Sequence, residues 1–417
     1  MKIVLLSDRI PPEHAGGGER VAWTLAGGLR DAGESVHVIA ATQGAAFRAE
    51  REGIPTYHLH SAYPARWQAW RMVRNPLILR PLRKLLHEIQ PDVLNAHVIH
   101  NHLSYAALTL AAEMGIPVVF TAHDVMPFAY GKLTHFVTPD VCAERPLTPK
   151  AYRLPPLYNL RRMRGRYNPL RTRRVRRILE RDVQARIAVS KAMSSALAVN
   201  GFPPFEVVYS GIDPAAFTPD PARVEGLRAQ FGLGGRRVIL FGGRLSREKG
   251  VAPLLAALDI VAARVPNVTL LVLSNAPLPA VAPTLKAHLL RGGWLGGADL
   301  AAGYGMADVT VMPSICFESA GMMALESMAA GTPVVGSCFG GVPEIVGDGE
   351  TGFTVNPLRV DDLAGALIRL LIDDDLRAQM GAAGQQRVAE QFLLKDMVHA
   401  IQNVFARVVG TNTRTSR

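Results

Sequence analysis

The sequence predicts an α/β protein made of two doubly wound, parallel-sheet domains. Three observations predict it. Short apolar runs of strand length recur along the chain, stretches of helical spacing separate them, and the alternation stops and restarts near residues 195–210.

The first run, Lys2 to Leu6, is apolar at successive positions, as a strand buried on both faces of a parallel sheet requires. It ends at Ser7-Asp8 and the turn signal Pro11-Pro12. After the glycines Gly16 to Gly18, the stretch Glu19 to Ala32 has helical spacing through Val21, Leu25 and Leu29. Further strands are expected at Ser35 to Ala40, Val93 to Ala96, Val118 to Ala122 and Ala185 to Val189. The pattern restarts after Gly201-Phe202-Pro203-Pro204, with strands at Arg237 to Phe241, Val268 to Ser274, Asp308 to Met312 and Pro333 to Gly336. A helical pattern follows from about Leu363 to Val408, and the last residues, Thr411 to Arg417, are polar. The expected division is residues 1–200, residues 201–390 and a C-terminal helix with its tail over 391–417, the first two being Rossmann-like.

With 417 residues, 48% hydrophobic and 19% charged, the chain is of the globular class and long enough for two or three domains. Its longest apolar stretch, Ala106 to Ala122, is interrupted by Glu113, Gly115 and Pro117, which argues against a membrane span. Met1 to Ala41 does not read as a signal peptide, because its apolar run is short and leads into turn residues. Cys142, Cys316 and Cys338 have neither metal nor disulfide spacing, so free thiols and a cytoplasmic setting are expected. The net charge of +11 is local. Twelve Lys and Arg residues, and no Asp or Glu, lie between Arg145 and Ile178, and the rest of the chain is close to neutral. Arg161, Arg162 and Arg164 stand in this segment with Tyr152, Tyr158 and Tyr167. It suits a solvated face, or an anionic surface such as phospholipid headgroups or a lipid-diphosphate acceptor. No nucleic-acid motif accompanies it.

In parallel sheets ligands bind beyond the carboxyl ends of the strands. Four groups of unusual residues follow expected strands: Gly16 to Glu19, His123-Asp124, Gly242-Gly243-Arg244 and Pro313 to Glu318. Gly16 to Gly18 is not a dinucleotide fingerprint, since Val21 stands where a third glycine would be needed. Arg244 offers a planar guanidinium and Lys249 a point charge, both suited to a diphosphate. After the strand ending at Met312 comes Glu318, then Gly321 opening a helix that contains Glu326. Free amides at that helix start suit a phosphate, and the two carboxylates suit the hydroxyls of a ribose and a sugar. His97, His100 and His102 lack a nearby carboxylate or cysteine to complete a metal set, so no metal is expected.

The pattern Glu318-x7-Glu326, followed by Met328-Ala329-x-Gly331-x-Pro333-Val334-Val335, resembles the signature of retaining glycosyltransferases of family 4, which have the GT-B fold. Nearly the whole chain shares the resemblance. It departs at Ser319-Ala320, where many members have Pro-Phe, and at Asn275-Ala276-Pro277, where many have a glycine-rich turn. The resemblance implies two domains facing a cleft, with the C-terminal helix packed on the N-terminal domain. It assigns Glu318 to the donor sugar and Glu326 to the ribose. The diphosphate falls to Gly321, Met322 and Met323 with Arg244, Lys249 and the glycines Gly17 and Gly18, whose loop lies near phosphate or acceptor. His123 would sit close to the transferred sugar, and Asp124, Arg161, Arg162 and Arg164 on the acceptor or membrane side. The implied activity is transfer of a sugar from a nucleoside-diphosphate sugar to a glycan or lipid-linked hydroxyl, with no cofactor, at or near the inner face of the cytoplasmic membrane. Two rival readings are a nucleotide-sugar epimerase of the same fold, akin to UDP-N-acetylglucosamine 2-epimerase, and a non-catalytic nucleotide-sugar-binding protein.

Overall fold

A computed structural model describes residues 1–12, 16–142, 147–163 and 167–415, the last four as backbone only. The chain divides into two units. Unit 1 is Met1–Leu133, Tyr152–Ser210 and the chain from Leu394 onward, and unit 2 is Thr134–Ala151 with Gly211–Leu393.

Unit 1 has eight strands: β1 Lys2–Leu6, β2 Ser35–Thr42, β3 Phe47–Arg51, β4 Ile54–His60, β5 Val93–Ala96, β6 Val118–Ala122, β7 Ala185–Ala188 and β8 Glu206–Val207. Their order is β3-β4-β2-β1-β5-β6-β7-β8, parallel throughout except for the antiparallel pair β3–β4. Ile3, Val4, Leu5 and Leu6 of β1 are all buried, because helices cover both faces of the sheet. The helix Leu394–Thr415 packs on the helix Gly17–Asp31, where Val398 presses on Gly28. Gln402 Nε2 donates to Glu34 Oε1 at 2.7 Å beside it.

Unit 2 has six parallel strands: β9 Arg237–Gly242, β10 Val268–Leu273, β11 Leu289–Arg291, β12 Val309–Met312, β13 Val334–Ser337 and β14 Gly352–Val355, in the order β11-β10-β9-β12-β13-β14. Alternate residues of β9 enter two separate cores. Ile239 and Phe241 join Leu254, Leu258 and Leu367 on one face, while Val238 and Leu240 join Leu271, Tyr304 and Met306 on the other. The order of strands reverses between β1 and β5 in unit 1 and between β9 and β12 in unit 2, so each sheet has a switch point at which carboxyl-end loops diverge.

One stretch departs from the expected division. Thr134–Ala151, which carries the start of the basic segment, groups with unit 2. Asn356 Nδ2 donates to the carbonyls of Thr138 and Val141, each at 2.8 Å, and Phe136 packs edge-on against Phe339. These contacts hold the excursion where composition gives no sign of it. No helix among the described residues is long and apolar enough to cross a membrane.

Gly250 starts the helix Val251–Arg264 with φ of 71°, and a Cβ there would lie 1.7 Å from the Pro313 carbonyl oxygen. Gly250→Ala therefore destabilises by about 2 kcal/mol or more, through a left-handed backbone and a backbone clash. Gly226, inside the helix Pro221–Gln230 with open space around it, is the control, and Gly226→Ala raises stability by roughly 0.5–1 kcal/mol. Urea unfolding of the two variants checks both signs.

Candidate functional site

Unit 1 gathers its polar residues where β1, β5 and β6 end. Asp8, fully buried just past β1, accepts from the amides of Asn101 (2.6 Å), His102 (2.9 Å) and Leu103 (2.7 Å), so the loop after β5 is folded around one carboxylate. That loop sends its three histidines to different partners. His97 Nδ1 lies 2.8 Å from Nε2 of His123, His100 Nε2 lies 3.1 Å from Oδ2 of Asp124, and His102 Nδ1 lies 3.1 Å from Ser61 Oγ. Gly18, in the first turn of the helix Gly17–Asp31, backs onto His123, and a Cβ at Gly18 would come within 2.8 Å of the histidine Cβ. Gly17, Gly18, His123 and Asp124 thus occupy one edge of this unit.

Burial controls the charges there. It drives His123 down to about 4, where His100 lowers it further and Asp124 opposes the fall, and it holds His97 well below the ordinary histidine value, with His123 adding to the lowering. Burial also opposes charge on His100 and Asp124, but their mutual attraction and hydrogen bond outweigh it. His100 is raised and Asp124 falls to about 2. A neutral imidazole pair and a histidine drawn toward its protonated form by a carboxylate therefore stand side by side.

Unit 2 assembles its edge from the loops after β9 and β12. Gly242 and Gly243 end β9, exposed Arg244 follows, and the turn Arg247–Lys249 carries Lys249 toward β12. The Lys249 ammonium lies 2.6 Å from Glu318 Oε1, and Ser314 Oγ donates to the same oxygen at 2.8 Å. The Glu318 backbone is fixed as well, since its carbonyl accepts from the Gly341 amide at 2.7 Å. Gly340 is needed beside it: its φ is 72°, and a Cβ would lie 2.1 Å from that carbonyl oxygen. Gly321, in the left-handed region at φ 63°, turns the chain into the helix Met322–Ala329, so the amides of Met322 and Met323 open toward the carboxyl edge. Glu326 sits inside that helix, 4% exposed, and accepts a hydrogen bond from Tyr304 Oη at 2.7 Å.

Arg244, Lys249, Glu318, Gly321, Met322, Met323 and Glu326 therefore belong to one edge of unit 2. Sequence reasoning missed Asp8, Ser314 and Tyr304. Asp8 had a signal, a carboxylate directly after the first buried strand, whereas Ser314 and Tyr304 had none. The basic segment proves mixed. Arg161 and Arg162 are exposed on the helix Tyr158–Met163, with Arg162 set 6.0 Å from the Tyr158 ring. Arg171 is buried (2% exposed) and donates to the Met126 carbonyl, so it serves the fold and not the surface. Arg145, Arg164 and Arg166 lie outside the described residues.

Two sheets each carry polar loops at a switch point, and one of them brings cations, carboxylates and a helix start together, chemistry that suits an anionic, hydroxyl-rich ligand. Comparison with known proteins names the class. Residues 15–216 match the family model Glycosyltransferase Family 4, and residues 224–387 match Glycosyl transferases group 1. The chain belongs to this family of glycosyltransferases. It is 33% identical over 215 residues to a GDP-mannose-dependent alpha-(1-6)-phosphatidylinositol monomannoside mannosyltransferase of Mycobacterium tuberculosis; the match covers 49% of this chain and spans about half (54%) of that relative's length. It is 29% identical over 380 residues to a phosphatidyl-myo-inositol mannosyltransferase of Mycolicibacterium smegmatis, covering 89% of this chain and 86% of the relative. Among solved structures, the sucrose-phosphate synthase of Thermosynechococcus elongatus superposes with a TM-score of 0.74 at 20% identity, over 98% of this chain and 99% of that one. The fold is GT-B, with two parallel-sheet α/β domains.

The histidine pair makes stability depend on pH. His97 and His123 stay neutral in the folded chain well below pH 6.5, while in the unfolded chain they take up protons near 6.5. Stability from this source is complete above pH 6.5 and is lost as pH falls toward about 4. The raised His100 contributes in the opposite sense, present below pH 6.5 and lost as pH rises through its folded value. Melting temperature should fall between pH 6.5 and 4, and His123→Asn should make that decline shallower. A profile unchanged by the substitution contradicts the assignment.

Proposed function

We propose that the chain is a retaining glycosyltransferase that moves a sugar from a nucleoside-diphosphate donor to a hydroxyl of a lipid-linked glycan, glycolipid or polysaccharide precursor. The observation that carries this reading is the cluster at the β9–β12 switch point: Lys249 on Glu318, exposed Arg244, and the helix start at Gly321 with Glu326 behind it. Positive charge is supplied by Arg244, Lys249 and the free amides of Met322 and Met323, where the departing diphosphate gains charge. This arrangement does the electrostatic work without a metal. Glu318 takes the hydroxyls of the donor sugar and Glu326 those of the ribose. His123, neutral at working pH, offers a hydrogen bond and no charge, which suits orienting a sugar hydroxyl better than attacking one. Gly17 and Gly18 are assigned to the donor diphosphate, and Asp124 to the acceptor side. The names of the mycobacterial relatives make GDP-mannose the first donor to try and a phosphoinositide-type lipid the first acceptor.

Glu318→Gln should lower transfer on the order of 100-fold, with the chain still folded though less stable because Lys249 loses its partner. The assay follows sugar incorporated into acceptor and, separately, any epimerised donor. Transfer at the wild-type rate by Glu318→Gln, or epimerised donor without acceptor glycosylation, contradicts the reading.

A lipid acceptor calls for contact with a membrane, and unit 1 has a surface suited to it. Trp67, Trp70 and Leu77 are exposed beside exposed Arg66, Arg74, Arg80, Arg83 and Lys84. Tyr130 joins this region to the basic segment, its hydroxyl donating to Gln68 (2.7 Å) and its amide to Asn159 (2.8 Å), near exposed Leu157, Leu160, Arg161 and Arg162. Exposed tryptophans among arginines suit the interface of an anionic bilayer. Co-sedimentation with anionic vesicles should exceed that with zwitterionic ones, and should fall when Trp67 and Trp70 become Ala or when Arg161, Arg162 and Arg164 become Ser. Equal sedimentation with both vesicle types contradicts the membrane contact.

A further inference from the structure

We infer that Tyr304 is a positioning residue that makes Glu326 a reader of the ribose 2′-hydroxyl; this rests on the donor reading of unit 2 given above. Glu326 lies on the helix Met322–Ala329, and helical side chains lean toward the N-terminal end, here the Gly321 end at the carboxyl edge of the sheet. The residue is 4% exposed, and a carboxylate so placed needs hydrogen bonds to remain there. One comes from Tyr304, whose hydroxyl donates to Oε2 at 2.7 Å.

Tyr304 is itself held firmly. It is 2% exposed near the end of the helix Gly297–Gly305 and belongs to the core cluster that contains Val238, Leu240 and Leu271. Phe217 meets its ring edge-on at a centroid distance of 6.4 Å, and Thr332 Oγ1 donates to its carbonyl at 2.8 Å. The phenol is therefore a fixed point against which the carboxylate is aligned. A glutamate has three side-chain torsions, and recognition of a vicinal diol requires both carboxylate oxygens in one plane with the two hydroxyls. Binding Oε2 to a rigid donor removes the rotation that would spoil that alignment and lowers the ordering cost at the moment of binding.

Removing the hydroxyl alone separates this role from ordinary packing. In Tyr304→Phe the ring and its core contacts remain, and only the hydrogen bond is lost. The probes are GDP and UDP, each paired with its 2′-deoxy counterpart and titrated by calorimetry. Wild type should bind the better ribonucleotide about tenfold or more tightly than its 2′-deoxy form. Tyr304→Phe should lose most of that discrimination, weakening ribonucleotide binding several-fold and leaving the 2′-deoxy form nearly unchanged. In the Glu326→Gln background the same change should have little further effect, because the two residues act as one unit. With the donor sugar as substrate, Tyr304→Phe should raise KM and leave kcat within about twofold. If Tyr304→Phe discriminates as wild type does, or weakens both nucleotides equally, the positioning role is overturned and the donor reading stands. If wild type binds neither GDP nor UDP, the donor reading itself fails and this inference with it.

Discussion

The edge of unit 2 depends on keeping one nearly buried carboxylate charged and aimed. Glu318 is 9% exposed, a position at which a lone carboxylate would be strongly disfavoured. Lys249 and Ser314 both bind its Oε1, so the charge is compensated by an ammonium from the β9 loop and a hydroxyl from the β12 loop. The pair thereby fastens the two loops that diverge at the switch point. Its backbone surroundings are arranged to suit. Gly250 lets the β9 turn lie directly against Pro313, the Ile315 amide donates to the Glu248 carbonyl at 2.9 Å, and Gly340 and Gly341 close over the Glu318 backbone.

Unit 1 solves a related problem with different chemistry. Asp8 replaces the ion pair as the organiser, and the groups it satisfies are three backbone amides of the β5 loop. That loop then presents two histidine partnerships of opposite character, a neutral imidazole pair through His97 and His123 and a ring paired with a carboxylate through His100 and Asp124. The contrast follows from the partner each ring meets: a second imidazole can only compete for the proton, whereas a carboxylate holds it. Unit 1 therefore offers hydrogen-bonding polarity, and unit 2 offers exposed Arg244 and a helix start beside a compensated Lys249–Glu318 pair. A neutral sugar hydroxyl suits the first and a diphosphate the second.

Most of the fold was legible in the sequence because parallel sheets are buried on both faces and write continuous apolar runs. β1, β5 and β6 were read to the residue for that reason. β3 was not, because Phe47–Arg51 is an exposed edge strand rich in charge, and β11 is only three residues long. The motif residues of the site were legible through spacing, yet their supports were not. Asp8 meets partners 93 to 95 positions away, Lys249 meets Glu318 across 69, and Tyr304 meets Glu326 across 22. Such contacts are set by sheet order, and no local periodicity records them. Arg171 shows the converse error: a run of arginines reads as a solvated face, but one member turns into the core.

Hydrogen–deuterium exchange of the intact chain, with and without a saturating GDP-sugar or UDP-sugar, tests the central claim most directly. A donor held at the β9–β12 switch point should slow exchange of amides in residues 242–250 and 318–326, and leave the far strands of the same sheet unchanged. Slowed exchange confined to other loops of unit 2, or none with either donor at saturating concentration, would contradict the account.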